Sequence, residues 1–302
     1  MTKRRNTLLR LTALALMLAL ALTLTACSGK SDTITIGSKD FGENIVLGEM
    51  MAQLIEHDTD LKVNSKLNMG GTFVCFEALK NGDIDVYPEY TGTGITAHLK
   101  MDVITDPDEC YRVVSEEFEK QFNIAWLEPF GFNNTYALAV TNDVYETYGV
   151  ETYSDLVAVS DQLVFGAEHE FFDRQDGFDG LVDTYGFTFK GEPKKMNVSL
   201  KYQAIGNGDI DVTDAFSTDG PIKQYNLKVL KDDKQFFPPY YAAPIIRQEV
   251  LDEHPELEDV LNKLAGLIDD EAMTEMNYRI DVNGEDVAEV ATDFLTAQGL
   301  LA

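Results

Sequence analysis

The spacing of apolar and polar positions divides the chain into short elements of alternating kind. Thr33-Ile-Thr-Ile-Gly37 alternates with a period of two and stops at glycine, which predicts a strand, whereas positions 47–55 carry apolar residues at helical spacing. A second strand is expected over 61–67, a turn at Met69-Gly-Gly-Thr72, a helix over 73–80 and a short buried strand after Gly82. The order β, α, β, α, β predicts a doubly wound, mainly parallel sheet. After a helix over 107–121 and an extended stretch from Ala125 to Val140, the pattern restarts. A strand 163–166 ends in Gly166, an elaborate loop runs over 168–180, a helix reaches Tyr185, and a strand near 194–196 precedes a helix over 200–205.

The two halves share a phrase. Phe76-Glu-Ala-Leu-Lys-Asn-Gly-Asp-Ile-Asp-Val-Tyr-Pro-Glu-Tyr90 returns as Tyr202-Gln-Ala-Ile-Gly-Asn-Gly-Asp-Ile-Asp-Val-Thr-Asp-Ala-Phe216, and each copy sets an aromatic four residues after the Val. A repeat this widely spaced is too long for a solenoid and predicts two similar α/β lobes. The extended segments around 125–140 and 236–247 read as crossings between them. The expected division is a discontinuous first lobe, 32–134 plus 241–302, and a second lobe, 135–240, hinged about a cleft that holds the ligand. The remaining expected helices lie at 255–268, 270–278 and 287–298.

Residues 1–26 are read as a leader outside this pattern. Lys3, Arg4, Arg5 and Arg10 precede an apolar run from Leu11 to Leu24, and Leu24-Thr-Ala-Cys27 follows. The run is short for a span of about 20 residues. A cysteine directly after the small residues resembles the bacterial lipoprotein signal, which implies lipidation of Cys27, a tether over 27–31 and a soluble body at an outer membrane face. The leader holds four of the 24 basic residues and none of the 52 acidic ones, so the body is more acidic than the whole chain's net −28. Such a surface repels phosphate backbones and argues against a nucleic-acid partner.

Beyond Cys27 only Cys75 and Cys110 remain, with two readings open: a disulfide closing a loop of about 35 residues, worth roughly 3–4 kcal/mol on a chain-entropy model, or buried free thiols. Scattered histidines and the absence of Cys-x-x-Cys indicate no metal site and no cofactor.

Ligands of such sheets bind outside the carboxyl ends of the strands. Those ends offer Lys39, Tyr90, Thr91 and Thr93 from one lobe and Arg174, Phe216, Ser217 and Asp219 from the other, with Tyr136 and Tyr240 at the crossings. Lys39 and Arg174 are expected at comparable places, each in the loop after its lobe's first strand, where a helix start also favours an anion. Converging aromatic faces hold a quaternary ammonium, which donates no strong N–H bond, at about 0.5–2 kcal/mol per face; Lys39, Arg174 and Thr93 suit a carboxylate. A ligand with both ends is a betaine. Asp83, Asp85, Asp209 and Asp211 read as turn chemistry instead.

Ile36-Gly-Ser-Lys39-Asp-Phe41, Asn68-Met-Gly-Gly-Thr72, Tyr87-Pro-Glu-Tyr90-Thr-Gly-Thr93-Gly, Gly131-Phe-Asn-Asn-Thr-Tyr136-Ala-Leu-Ala and Asp214-Ala-Phe-Ser-Thr-Asp219-Gly together resemble the substrate-binding proteins of quaternary-amine (glycine betaine/carnitine/choline) ABC transporters. The resemblance spans essentially the whole body. It implies a bilobed, type II periplasmic-binding-protein fold, a monomer that passes an osmoprotectant to a permease and its ATPase, a cage of Tyr90, Tyr136, Phe216 and Tyr240, and carboxylate contacts from Lys39, Thr93 and Arg174. Asn134 falls where an acidic residue supplements the cage in some members, and Phe216 stands where tyrosine is usual. Thr93 favours a carboxylate ligand over choline. An amino-acid receptor would use Arg174 for the α-carboxylate, but the sequence offers no convincing acidic partner for the ammonium. A secreted α/β enzyme would need a Gly-x-Ser-x-Gly nucleophile or a metal cluster, and neither motif is present.

Overall fold

The structure, a computed structural model, describes residues 32–173 and 177–301. The leader, Cys27, the tether to residue 31 and Arg174 lie outside the described residues. Among the described residues, ten strands form two sheets. Strands β1 (Thr33–Gly37), β2 (Lys62–Lys66), β3 (Val86–Tyr90) and β4 (Ile124–Trp126) belong to the first. The second takes β5 (Tyr136–Val140), β6 (Phe165–Glu168), β7 (Lys194–Met196), β8 (Val212–Phe216) and β9 (Lys228–Val229), after which β10 (Ala242–Arg247) returns to the first. The orders are β2-β1-β3-β10-β4 and β7-β6-β8-β5-β9.

Each sheet is mixed rather than mainly parallel. β1/β3, β6/β7 and β6/β8 are parallel, but β10 runs antiparallel to β3 and β4, and β5 antiparallel to β8 and β9. The reason is the crossing. β5 and β10 enter from the other sheet through extended chain, with no crossover helix to turn them parallel. Alternation along β10 then feeds two cores, with Ala242 and Ile246 on one face and Ala243 and Ile245 on the other. The first face is covered by the helix Gly42–Asp58 through Val46, Leu47, Met50, Leu54 and Ile55.

Cys75 and Cys110 share the second of these cores, and both are free thiols, so the disulfide reading is corrected. The Cys75 Sγ is turned towards the Ser38 carbonyl, 3.3 Å away, and burial pushes each thiol up to about 11. Such thiols are inert. The stretch 168–180, expected as loop, contains a short helix, His169–Asp173, and the start of another, Phe178–Tyr185.

The repeated phrase builds the same joint twice. Gly82 and Gly208 take φ of 76° and 77°, the left-handed conformation that ends a helix cheaply only for glycine. The second Asp of each phrase then ties its strand to the parallel neighbour. Asp85 Oδ2 accepts from Thr35 N at 2.7 Å, and Asp211 Oδ2 from Val164 N at 2.8 Å. Lys66 Nζ donates to the Asp83 carbonyl at 2.8 Å, and Lys194 Nζ to that of Asp209 at 2.7 Å. Ile84 and Ile210 lie against Gly37 and Gly166, where a Cβ would come within 2.5 Å and 2.9 Å of an isoleucine Cδ1. These aspartates are scaffold. Asp211→Ala leaves the Val164 N–H without its acceptor and is expected to cost about 1–3 kcal/mol in urea denaturation without changing solute affinity; an affinity loss at unchanged stability would contradict the assignment.

Candidate functional site

A cavity of about 460 Å³ lies where the carboxyl ends of β3 and β8 face each other, and it is lined by Lys39, Phe41, Glu43, Tyr90, Thr93, Asn134, Glu168, Phe216, Tyr240 and Asn277 among others. An adjoining cavity of about 400 Å³ shares Thr93, Asn134, Glu168, Phe216 and Tyr240 and adds Tyr136. The structure thus gathers Tyr90, Tyr136, Phe216, Tyr240, Lys39, Thr93 and Asn134 around one space. Tyr136 and Phe216 are direct partners across β5 and β8, with ring centroids 4.5 Å apart. Phe41, which sequence reasoning passed over, adds an aromatic surface 6.1 Å from Tyr90 and inclined 30° to it.

The crossings form the floor. Asn133 and Tyr241 make an antiparallel bridge, Asn134 N donates to the Tyr240 carbonyl at 3.1 Å, and Tyr240 N donates to Asn133 Oδ1 at 2.7 Å. Tyr240 also packs on Gly92, where a Cβ would stand 2.8 Å from the ring. Its ring position therefore depends on a glycine in the turn after β3.

Two expectations about charge change. Counting from the paired glycines Gly37 and Gly166, the position that corresponds to Lys39 in the second lobe holds Glu168, at the end of β6. Lys39 itself is nearly inaccessible, and its ammonium is taken by Glu89 Oε1 at 2.5 Å and lies 4.9 Å from the Tyr90 ring centre. Burial alone would push Glu89 up, but Lys39 outweighs it, helped by a hydrogen bond with His98, and holds the carboxyl at about 2. The Lys39 charge is thus largely spent inside the protein. Lys201, wholly buried, likewise meets Asp214 at 2.8 Å and Glu168 at 3.6 Å.

The anion expected at the first helix start is the protein's own. Glu43, in the first turn of Gly42–Asp58, is favoured there by the helix dipole. Its Oε1 accepts from Tyr90 Oη and Asn134 Nδ2, both at 2.8 Å, and its Oε2 from Thr218 Oγ1 at 2.7 Å and Asn277 Nδ2 at 3.0 Å. Burial raises its pKa, and the four hydrogen bonds oppose that rise. Asp219 and Asp281 also line the cavity, and burial raises both. Of these acidic groups, sequence reasoning named only Asp219, among the strand ends, and did not find Glu43, Glu168 or Asp281. Glu43 was hidden because a Glu at the start of an amphipathic helix looks like ordinary helix chemistry, and Glu168 because its strand was placed two residues too early.

Comparison with known proteins agrees with this geometry. Residues 32–297 match the family described as the substrate binding domain of ABC-type glycine betaine transport systems. The carnitine transport binding protein OpuCC of Listeria monocytogenes is 39% identical over 266 residues, 87% of this chain and 86% of that protein. The ergothioneine transport permease/ergothioneine binding protein EgtU of Helicobacter pylori is 39% identical over 268 residues, 88% of this chain and 48% of that larger protein. A crystal structure of a glycine betaine/carnitine/choline ABC transporter protein superposes with a TM-score of 0.85 at 38% identity, covering 88% of this chain and 99% of that one. The family consists of transport receptors rather than enzymes, and its fold is bilobed. The chain belongs to the substrate-binding domains of ABC-type glycine betaine transport systems.

Proposed function

We propose that this protein is the extracytoplasmic receptor of an ABC importer for a quaternary-ammonium compatible solute of the glycine betaine or carnitine type. The observation that carries the reading is the convergence of Tyr90, Tyr136, Phe216 and Tyr240 on adjoining cavities between the two sheets. Their faces take the ammonium. Thr93 and Lys39 face the polar end of the solute, with Arg174 the proposed bidentate partner of its carboxylate, and Asn134 contributes a neutral dipole. The lobes divide at the paired crossings, 32–134 plus 241–302 against 135–240. Cys27 carries the lipid anchor that keeps the receptor beside its permease and ATPase; no helix among the described residues is long and apolar enough to cross a membrane.

The second reading, a choline-type cation without a carboxylate, is favoured by one observation: Glu43, Glu168, Asp219 and Asp281 line the cavity, while Lys39 is already paired with Glu89. Titration calorimetry of the soluble body against glycine betaine, carnitine, choline and proline separates the two. Betaine or carnitine is expected to bind at least about tenfold tighter than choline, a gap of about 1.4 kcal/mol. The reverse order would establish the choline reading, and binding of proline alone would overturn both.

A further inference from the structure

We propose that Glu43 and Glu168 are positioning residues of the cation site: each accepts the hydroxyl hydrogen of one cage tyrosine, one in each lobe, and so fixes the ring and raises its negative potential. The inference rests on the cavity being an onium site and adds the element that distinguishes a cation from a neutral molecule of the same shape.

The geometry is duplicated. Tyr90 Oη lies 2.8 Å from Glu43 Oε1, and Tyr136 Oη lies 3.0 Å from Glu168 Oε1. All four residues are between 3% and 6% exposed, so the bonds are shielded from water. Glu43 comes from the helix start after β1 and Glu168 from the end of β6, and each tyrosine comes from a strand that borders the cleft. Two independent stretches of sequence therefore converge on one device.

The direction of each bond follows from its partners. Two of the four donors to Glu43 are carboxamide NH2 groups of Asn134 and Asn277, which can only donate, so both carboxylate oxygens act as acceptors. Burial, reinforced by Glu43, pushes the Tyr90 hydroxyl well above its ordinary value, so the phenol keeps its proton and donates. A phenol that donates to a carboxylate gains electron density in its ring, and the ring face becomes a better partner for a cation. The carboxylate also acts directly, because charges separated by a ring's width still interact strongly where water is excluded. The four hydrogen-bond donors to Glu43 are neutral groups that oppose the rise burial imposes on its pKa, and among the described residues no cation pairs with it. Glu168 shares Lys201 with Asp214, but at 3.6 Å against 2.8 Å the ammonium belongs mainly to Asp214.

The test compares each cation with its carbon isostere: glycine betaine with 3,3-dimethylbutanoate, and choline with 3,3-dimethylbutan-1-ol, by calorimetry or displacement on the folded body. Wild type is expected to prefer the cation of at least one pair. Glu43→Gln and Glu168→Gln each lower that preference by about tenfold, with the isostere's affinity changing less than about threefold. Tyr90→Phe, which keeps the ring and removes only the bond, lowers the preference in the same direction and serves where a glutamate variant does not fold. Cation and isostere weakening together would show that the glutamates merely support packing and would overturn the proposal while leaving the onium reading in place. A wild type that does not distinguish cation from isostere would overturn both.

Discussion

Phe216→Ala is expected to lower affinity for glycine betaine by at least about tenfold, whereas Phe216→Tyr leaves it within about threefold. The ring lines both adjoining cavities and packs against Tyr136 at the end of β8. Its contribution is a face and an area, because phenylalanine has no hydroxyl to offer. Alanine removes the wall, exposes the flank of Tyr136 and admits water beside the cation. Tyrosine restores the face and adds a group that this site does without. Calorimetry on the three proteins decides the matter. Equal affinity in wild type and Phe216→Ala would place the solute elsewhere in the cleft, and a large loss in Phe216→Tyr would show that the space beyond the ring edge is filled.

Glu89→Gln is expected to be less stable than wild type at pH 7 by on the order of 3 kcal/mol. The carboxylate has Lys39 on one oxygen and Tyr87 and His98 on the other, and Lys39 is nearly inaccessible to water. Removing the negative charge leaves a buried ammonium without its partner. The sign with pH follows from the depressed value of about 2, against an ordinary value of 4.5. The contribution is fully present above the unfolded carboxyl's range and fades as pH falls towards 2. Urea denaturation at pH 7 and pH 3 should therefore show the gap between variant and wild type narrowing at the acid end. A gap of equal size at both would mean that Glu89 acts through packing alone. The same variant is expected to perturb binding, since Lys39 borders Tyr90.

The architecture was legible because it is written locally. Strand, glycine stop and helical spacing sit in contiguous residues, and the repeated Asn-Gly-Asp-Ile-Asp-Val exposed the two-sheet plan directly. The aromatic positions were legible for the same reason, since Tyr90 and Phe216 follow the repeat at a constant offset. Charge pairing was not. Lys39 finds Glu89 fifty residues away, Lys201 finds Asp214 across a helix and a strand, and Glu43 collects donors from Tyr90, Asn134, Thr218 and Asn277. No period in the sequence records such meetings. The mixed sheets were missed on related grounds: the direction of β5 and β10 depends on how the chain returns across the cleft, which neither strand's own residues specify.

The two crossings bond to each other through the Asn133–Tyr241 bridge and the Asn134–Tyr240 pair. They are one narrow ribbon, and a ribbon of paired strands bends far more readily across its face than within its plane. Asn134 and Tyr240 belong both to that ribbon and to the cavity wall. Any flexing that spreads the lobes must also shift these two residues of the cavity wall. Opening the cleft and reshaping the cavity wall are then one mechanical event.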